Sequence, residues 1–211
     1  MKFNDRLEAS KLLAQKLKHY QNEPQALILG LPRGGIPIAS TLSDFLHVPW
    51  DILLIRKLGV PLNPELAFGA VAADGECVFE PGVLKYYPLS EENIEAVKQK
   101  ELEELRRRER VYGKREINLA GKIVILTDDG IATGSTMHAA INFVKKQKPS
   151  KLVIAVPVIA RSTYTYFEMQ PTVDELVSVW IPEDLGAIGY FYKDFAQLTD
   201  EEALSYLRKR R

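Results

Sequence analysis

The stretch Ile123-Val-Ile-Leu-Thr127-Asp128-Asp129-Gly130-Ile131-Ala132-Thr133-Gly134-Ser135-Thr136 sets two adjacent carboxylates between an apolar run and a turn of small and hydroxylated residues. The apolar run reads as a buried strand, so the acids emerge at the carboxyl end of a sheet strand, where open α/β sheets bind their ligands. Gly130 and Gly134 permit backbone conformations and close approaches that a Cβ blocks. A helix starting after the turn offers its first amides, from Ala132 to Thr136, as a site for a phosphate dianion. Thr133, Ser135 and Thr136 add hydroxyl donors. The neighbouring carboxylates suit sugar hydroxyls or a hydrated magnesium ion, and a sugar phosphate satisfies both halves at once. A plain helix cap explains the turn, but not the strand, both acids and the loop in one uninterrupted unit.

These residues need a scaffold, and the rest of the chain supplies its pattern. Asp5 with Glu8 is a capping-box pair, and Leu7, Leu13, Ala14 and Leu17 follow at helical spacing, predicting a helix over about 5–20. Ala26 to Leu29 predicts a short buried strand ending at Gly30. After the turn Leu31-Pro32-Arg33-Gly34-Gly35, a helix follows over Ile36 to Leu46, with Pro37 tolerated in its first turn. A second strand is expected at Asp51 to Arg56. Phe68, Val71, Val78 and Phe79 flank Asp74-Gly75, a strong hairpin signal. Ser90 to Glu116 is charge-dense, with Ile94, Val97, Leu102 and Leu105 as its apolar stripe, and predicts a largely exposed helix. Further strands are expected at 123–127, 152–159 and 176–181, with helices between them at about 133–146 and 162–168. Thr199 with Glu202 is a second capping box, opening a closing helix. Strands alternating with helices predict an α/β fold: a mostly parallel twisted sheet flanked by helices, with a β-hairpin. We expect one domain over 1–211, with 79–116 as a helical insertion.

Composition excludes several function classes. With 28 basic and 28 acidic residues the net charge is zero, which removes the simplest argument for a nucleic-acid or anionic-membrane partner. A hydrophobic fraction of 46% fits a folded globular chain rather than a disordered one. The apolar run Leu152 to Ala160 is too short to span a bilayer and carries Pro157. Cys77 is the only cysteine, so no internal disulfide forms, and the chain reads as cytoplasmic. His19, His47 and His138 have no spacing suited to a metal site or a triad. The basic runs Arg106-Arg107-Arg108 and Lys209 to Arg211 read as solvated helix faces.

Asp128 to Thr136, with its flanking strand and helix, resembles the ribose-phosphate signature of type I phosphoribosyltransferases. The resemblance implies an enzyme that uses phosphoribosyl pyrophosphate with Mg2+ and joins the ribose phosphate to a small nitrogenous base, purine-like by preference. It implies that Asp128 and Asp129 hold the ribose hydroxyls and meet the metal, while Gly130 and Ala132 to Thr136 wrap the 5′-phosphate. Gly30 to Gly35 is similar to the pyrophosphate loop of adenine phosphoribosyltransferases, which implies that Arg33 and Gly34 receive pyrophosphate. Arg33 offers a bidentate guanidinium for it. The family often has a cis peptide in this loop, and Leu31-Pro32 is the natural candidate. Arg56-Lys57 looks like the Arg-Lys pair of the adenine-type enzymes, and Leu58 to Glu65 like the mobile loop that follows it.

Two departures stand beside the resemblance. Ala132 occupies the position where hypoxanthine-guanine enzymes carry a further Asp, which leaves the general acid or base unassigned; Glu65 and Glu76 are weak candidates. Trp180 to Tyr190 loosely resembles a purine-stacking segment, with Leu185 where an aromatic is expected. Tyr190, Phe191 and Tyr192 either stack on a base or, as the better reading, pack the closing helix onto the sheet. A homodimer is expected. The alternative reading is a non-catalytic sensor of phosphoribosyl pyrophosphate or a nucleotide, motivated by the missing loop Asp and the charged insertion.

Overall fold

The structure is a computed structural model describing residues 2–114 and 117–209, with the Glu65 side chain outside the described set. The expected helix end at Glu116, the candidate Glu65 and the last two residues of the basic run at Arg211 therefore lie outside the described residues. The chain forms two compact units: Met1–Leu53, Asn118–Gly134 and Lys148–Arg211 make the first, and Leu54–Ile117 with Ser135–Gln147 the second.

The first unit is an α/β layer structure. Five strands, β1 (Ala26–Gly30), β2 (Trp50–Ile52), β6 (Ile123–Thr127), β7 (Lys151–Val158) and β8 (Glu175–Trp180), run parallel in the order β2-β1-β6-β7-β8. Parallel strands covered on both faces read as continuous apolar runs, and Val124 to Leu126 and Leu152 to Ile159 are indeed buried throughout. Helix α1 (Arg6–Lys16) packs on β7 and β8, and α2 (Gly35–Leu46) on β1 and β2. Helix α6 (Arg161–Glu168) lies against β8, and α7 (Asp200–Arg208) against α2. The Thr199 capping box forms, the Glu202 amide donating to Thr199 Oγ1 and the Thr199 amide to Glu202 Oε2; at Asp5 only half of it does, the Glu8 amide donating to Asp5 Oδ1 while the Glu8 carboxylate accepts from the Asn4 amide instead. At the amino ends of β7 and β8, Lys151 Nζ and Tyr20 Oη donate to Glu175 at 2.7 and 2.5 Å. Burial and that carboxylate push the Tyr20 phenol up to about 12.

The second unit is an antiparallel sheet of β3 (Ile55–Val60), β4 (Asn63–Ala72) and β5 (Cys77–Phe79), with α3 (Pro81–Tyr86), α4 (Glu91–Tyr112) and α5 (Ser135–Lys146). The Asp74-Gly75 hairpin joins β4 to β5, with the Glu76 amide donating to Asp74 Oδ1. Helix α4 is capped by Ser90 and buries Leu102, Leu105 and Tyr112, with Ile94 and Val97 half-buried.

Two expectations change here. The strand expected over Asp51 to Arg56 is two strands in two sheets: β2 stops at Ile52 and pairs with β1, while β3 begins at Ile55 and pairs with β4. Leu58 to Glu65, expected as a loop, is mostly strand, because Leu58 and Val60 alternate into the core. Its glycine and proline mark a register shift at Gly59 and a tight reversal from Val60 to Asn63. No helix of the described residues is long and apolar enough to cross a membrane.

Candidate functional site

The chain runs outward from β1 to β2 on one side and from β6 to β7 on the other, so strand order reverses between β1 and β6. That reversal opens a crevice at the carboxyl ends of the two strands. The loop after β1 carries Arg33 and Gly34; the loop after β6 carries Asp128 and Asp129. A hydrogen bond from the Leu31 amide to Thr127 O, 2.9 Å, joins them. The cis peptide expected at Leu31-Pro32 is one bond later, at Pro32-Arg33. Leu31 is already committed, its amide to Thr127 O and its carbonyl to the Gly35 amide at 2.8 Å.

Gly34 is where the two loops meet most closely. A Cβ there would lie 2.3 Å from Asp129 Oδ2 and 2.7 Å from Oδ1. Its φ of −60° is one any residue adopts, so steric approach alone demands glycine.

The two acids differ. Asp128 is half-buried and accepts the Asp129 amide on Oδ1 at 2.8 Å. Burial, then the Asp129 charge, pushes its carboxyl well above the usual carboxylate range. Asp129 is buried, and Oδ2 receives Nε and Nη2 of Arg6 at 2.9 and 2.8 Å. Burial raises its carboxyl, and the Arg6 guanidinium opposes that rise. The Asp129 carbonyl accepts from Tyr192 Oη at 2.6 Å. Burial pushes that phenol up.

The loop beyond the acids is strapped to its surroundings. The Ile131 amide donates to Val158 O, the Ala160 amide to Ile131 O, and Thr163 Oγ1 to Ala132 O at 2.5 Å. Gly134 has φ +79°, a left-handed conformation, with Thr163 and the Phe167 ring against it. Gly130 is buried, Ala132 half-buried and Thr133 exposed. Ser135 and Thr136 then open α5, which belongs to the second unit.

The structure thus brings Arg33, Gly34, Asp128 and Asp129 to one crevice. Arg33 Nη1 lies 3.6 Å from Asp200 Oδ1 at the start of α7. Arg56 and Lys57 are not at the end of a strand of the parallel sheet: they lie inside β3, where Arg56 Nε meets Glu101 Oε2 at 2.6 Å. Glu76 is an exposed turn residue of the second unit. Phe191 and Tyr192 pack into a core cluster with Phe3 and Val158, while Tyr190 is exposed. They cover the sheet beside the chain's first residues rather than the closing helix.

Arg6 and Asp200 escape sequence reasoning. Arg6 carries no motif; its only signal is its place in the first turn after the Asp5 cap, 123 residues from Asp129.

A family model described as the phosphoribosyl transferase domain matches residues 5–184. A Mycobacterium tuberculosis protein named "putative phosphoribosyl transferase" is 39% identical over 97% of the chain. The chain spans about half that relative's length, 46%. The TT1426 protein from Thermus thermophilus has a crystal structure that superposes with a TM-score of 0.87, at 36% identity, covering 100% of this chain and 99% of that one. A hypoxanthine-guanine phosphoribosyltransferase from Bacillus anthracis shares the fold at a TM-score of 0.50 and 15% identity, over 87% of this chain and 83% of its own. The chain, with its five-stranded parallel sheet, belongs to the phosphoribosyl transferase domain family.

Proposed function

We propose that this chain transfers ribose 5-phosphate from phosphoribosyl pyrophosphate to a nitrogenous base, purine-like by preference, releasing pyrophosphate in a magnesium-dependent reaction. The observation that carries this reading is the junction of the two loops at the strand-order reversal. Gly34 of the pyrophosphate-type loop lies against Asp129 of the ribose-type loop, so one ligand spanning both finds its two recognition elements side by side.

In this reading the backbone of Gly130 to Gly134, continued by Ser135 and Thr136, receives the 5′-phosphate. Asp128 accepts hydrogen bonds from a ribose hydroxyl, and Asp129 offers Oδ1, since Oδ2 is held by Arg6. Arg33 turns from Asp200 to the departing pyrophosphate. Positive charge develops at C1 of the ribose as the bond to pyrophosphate breaks, and the acid pair stabilises it electrostatically. A base nitrogen attacks C1, and no covalent enzyme intermediate is needed.

The donor set fits magnesium in one particular way. Among the described residues no group of three or more His, Cys, Asp or Glu side chains is placed to cage an ion. Magnesium commonly uses only one or two carboxylates besides water and substrate phosphate, and Asp128 with Asp129 supplies that number. When bound, the ion offsets negative charge on the leaving pyrophosphate.

One observation favours the sensor alternative. Arg33 and Arg56 are each paired with a carboxylate of the chain itself, Asp200 and Glu101. Calorimetric titration with phosphoribosyl pyrophosphate and magnesium, followed by pyrophosphate release across a panel of bases, separates the readings. Base-dependent release supports transfer. Tight binding without release supports the sensor. No binding, or binding unchanged in Asp128→Asn, overturns the site.

A further inference from the structure

Arg6 stands outside every motif of the chain, yet it makes the most elaborate polar contact of the crevice. Nε and Nη2 both reach Asp129 Oδ2, and Nη1 donates to Ala196 O at 3.0 Å. The guanidinium carbon lies 4.0 Å from the centre of the Phe195 ring. Phe195 in turn stacks on Tyr192, with centroids 4.9 Å apart, and Tyr192 Oη donates to the Asp129 carbonyl. The guanidinium is therefore fixed by a carboxylate, a carbonyl and an aromatic face, and Asp129 is held through both its side chain and its backbone.

A pair this buried, with side chains 14% and 11% exposed, is a poor device for stability alone. Replacing such pairs by apolar side chains is often neutral or stabilising, because desolvation offsets the attraction. Its placement suggests another use. The carboxylate is pinned against Gly34 of the neighbouring loop, with Oδ2 occupied.

We infer that Arg6 is a positioning residue of the ligand site: it holds Asp129 by one oxygen so that the other meets the ribose, and so sets the acid loop against the pyrophosphate loop. This rests on the proposed reading of the crevice as the phosphoribosyl pyrophosphate site. The ionisable groups around the pair are Asp128 on the same loop, Tyr192 beyond β8, and Glu202 on α7, which also senses the Arg6 charge. None of these is a cation that could replace the guanidinium.

The test compares Arg6→Lys and Arg6→Met with the wild type in the full chain. Phosphoribosyl pyrophosphate with magnesium is titrated calorimetrically at neutral pH, and melting temperatures are recorded alongside. Arg6→Met should lose affinity roughly tenfold or more, the size expected for a charged hydrogen-bonding partner. Arg6→Lys keeps the charge without the planar fork, so it should restore only part of the affinity. Should Arg6→Met fail to fold, Arg6→Lys carries the test, with a weaker affinity than wild type at an unchanged melting temperature expected. An affinity within twofold of wild type in Arg6→Met, or in Arg6→Lys where that is the folded variant, overturns the inference, as does an equal loss in both variants. A wild type that binds nothing overturns the reading of the crevice itself, and the role of Arg6 with it.

Discussion

Gly34→Ala isolates the contact between the two loops. The added methyl would meet Asp129 Oδ2, Cγ and Oδ1 at 2.3, 2.4 and 2.7 Å, where ordinary contact begins at 3.4 Å. The carboxylate must retreat by about 1 Å, because atoms this close are on the repulsive wall. It cannot do so while Arg6 holds Oδ2 at 2.8 and 2.9 Å. Breaking a buried pair on one side costs about 3–5 kcal/mol. Against this, alanine in the helical conformation that Gly34 adopts gains about 0.5–1 kcal/mol from the unfolded state. The net loss is about 2–4 kcal/mol, which for a chain of this length lowers the melting temperature by roughly 5–15 °C. Denaturant unfolding of wild type, Gly34→Ala, Asp129→Ala and the double variant forms a cycle. With the carboxylate gone, the methyl has room, and Gly34→Ala should be neutral or slightly stabilising. If Gly34→Ala costs the same in both backgrounds to within about 0.5 kcal/mol, the steric account is wrong.

Asp128→Asn should stabilise the ligand-free protein while weakening phosphoribosyl pyrophosphate binding. Because its carboxyl is raised in the folded state, the folded form is favoured most below the unfolded value of about 3.9, and that advantage is lost as pH rises through the raised one. Melting curves at about pH 7 should show the variant above wild type, with the gap closing toward about pH 4; a variant that melts lower at neutral pH refutes this. Glu104, held down to about 2 by Arg107 and Arg108, gives the opposite sign. Its contribution is present above the ordinary 4.5 and lost as pH falls to about 2, and since the pair is solvent-screened, Glu104→Gln should cost under about 1 kcal/mol at neutral pH. Equal stability of that variant and wild type at every pH counts against the pair. Asp200→Asn releases Arg33 and should tighten binding of inorganic pyrophosphate a few-fold by calorimetry, a charge partner at a half-exposed site being worth about 1 kcal/mol or less. Unchanged affinity places Arg33 outside the pyrophosphate subsite.

The parts legible in the sequence are those encoded locally. Ile123 to Thr127 is apolar at every position but its last, so its burial between two strands is written in composition, and Asp74-Gly75 specifies its own turn. The caps at Asp5 and Thr199 need only four consecutive residues each. What stays hidden depends on contacts distant in the chain. Arg56 and Lys57 look like the end of one strand because Asp51 to Arg56 reads as a single run; only pairing with distant partners, Ile52 with Gly30 and Ile55 with Ala72, assigns the two halves to different sheets. Leu58 to Glu65 carries loop punctuation, yet burial of Leu58 and Val60 makes strands of it. The acids read as a pair at a strand end, and no periodicity within α1 reveals that Arg6, a surface-type residue, turns inward to meet one of them. Tyr192 presents an aromatic ring to sequence reasoning, whereas its hydroxyl is what touches the acid loop.

Pairing of β1 with β6 joins Ala26 to Ile123, whereas β1 meets β2 and β6 meets β7 across much shorter separations. On the ribosome, the β1–α2–β2 segment is therefore complete long before its central partner exists. At about 5–20 residues per second, roughly 4–15 s pass before β6 follows. Throughout that interval one edge of β1 stands open, apolar and ready to pair with a wrong strand. The hairpins of β3, β4 and β5 close within their own neighbourhood and can form while the chain waits. The crevice thus comes into being only once β6 has left the ribosome, and nascent chains of this protein should depend on chaperone shelter for β1 until the strand bearing the acids has been synthesised.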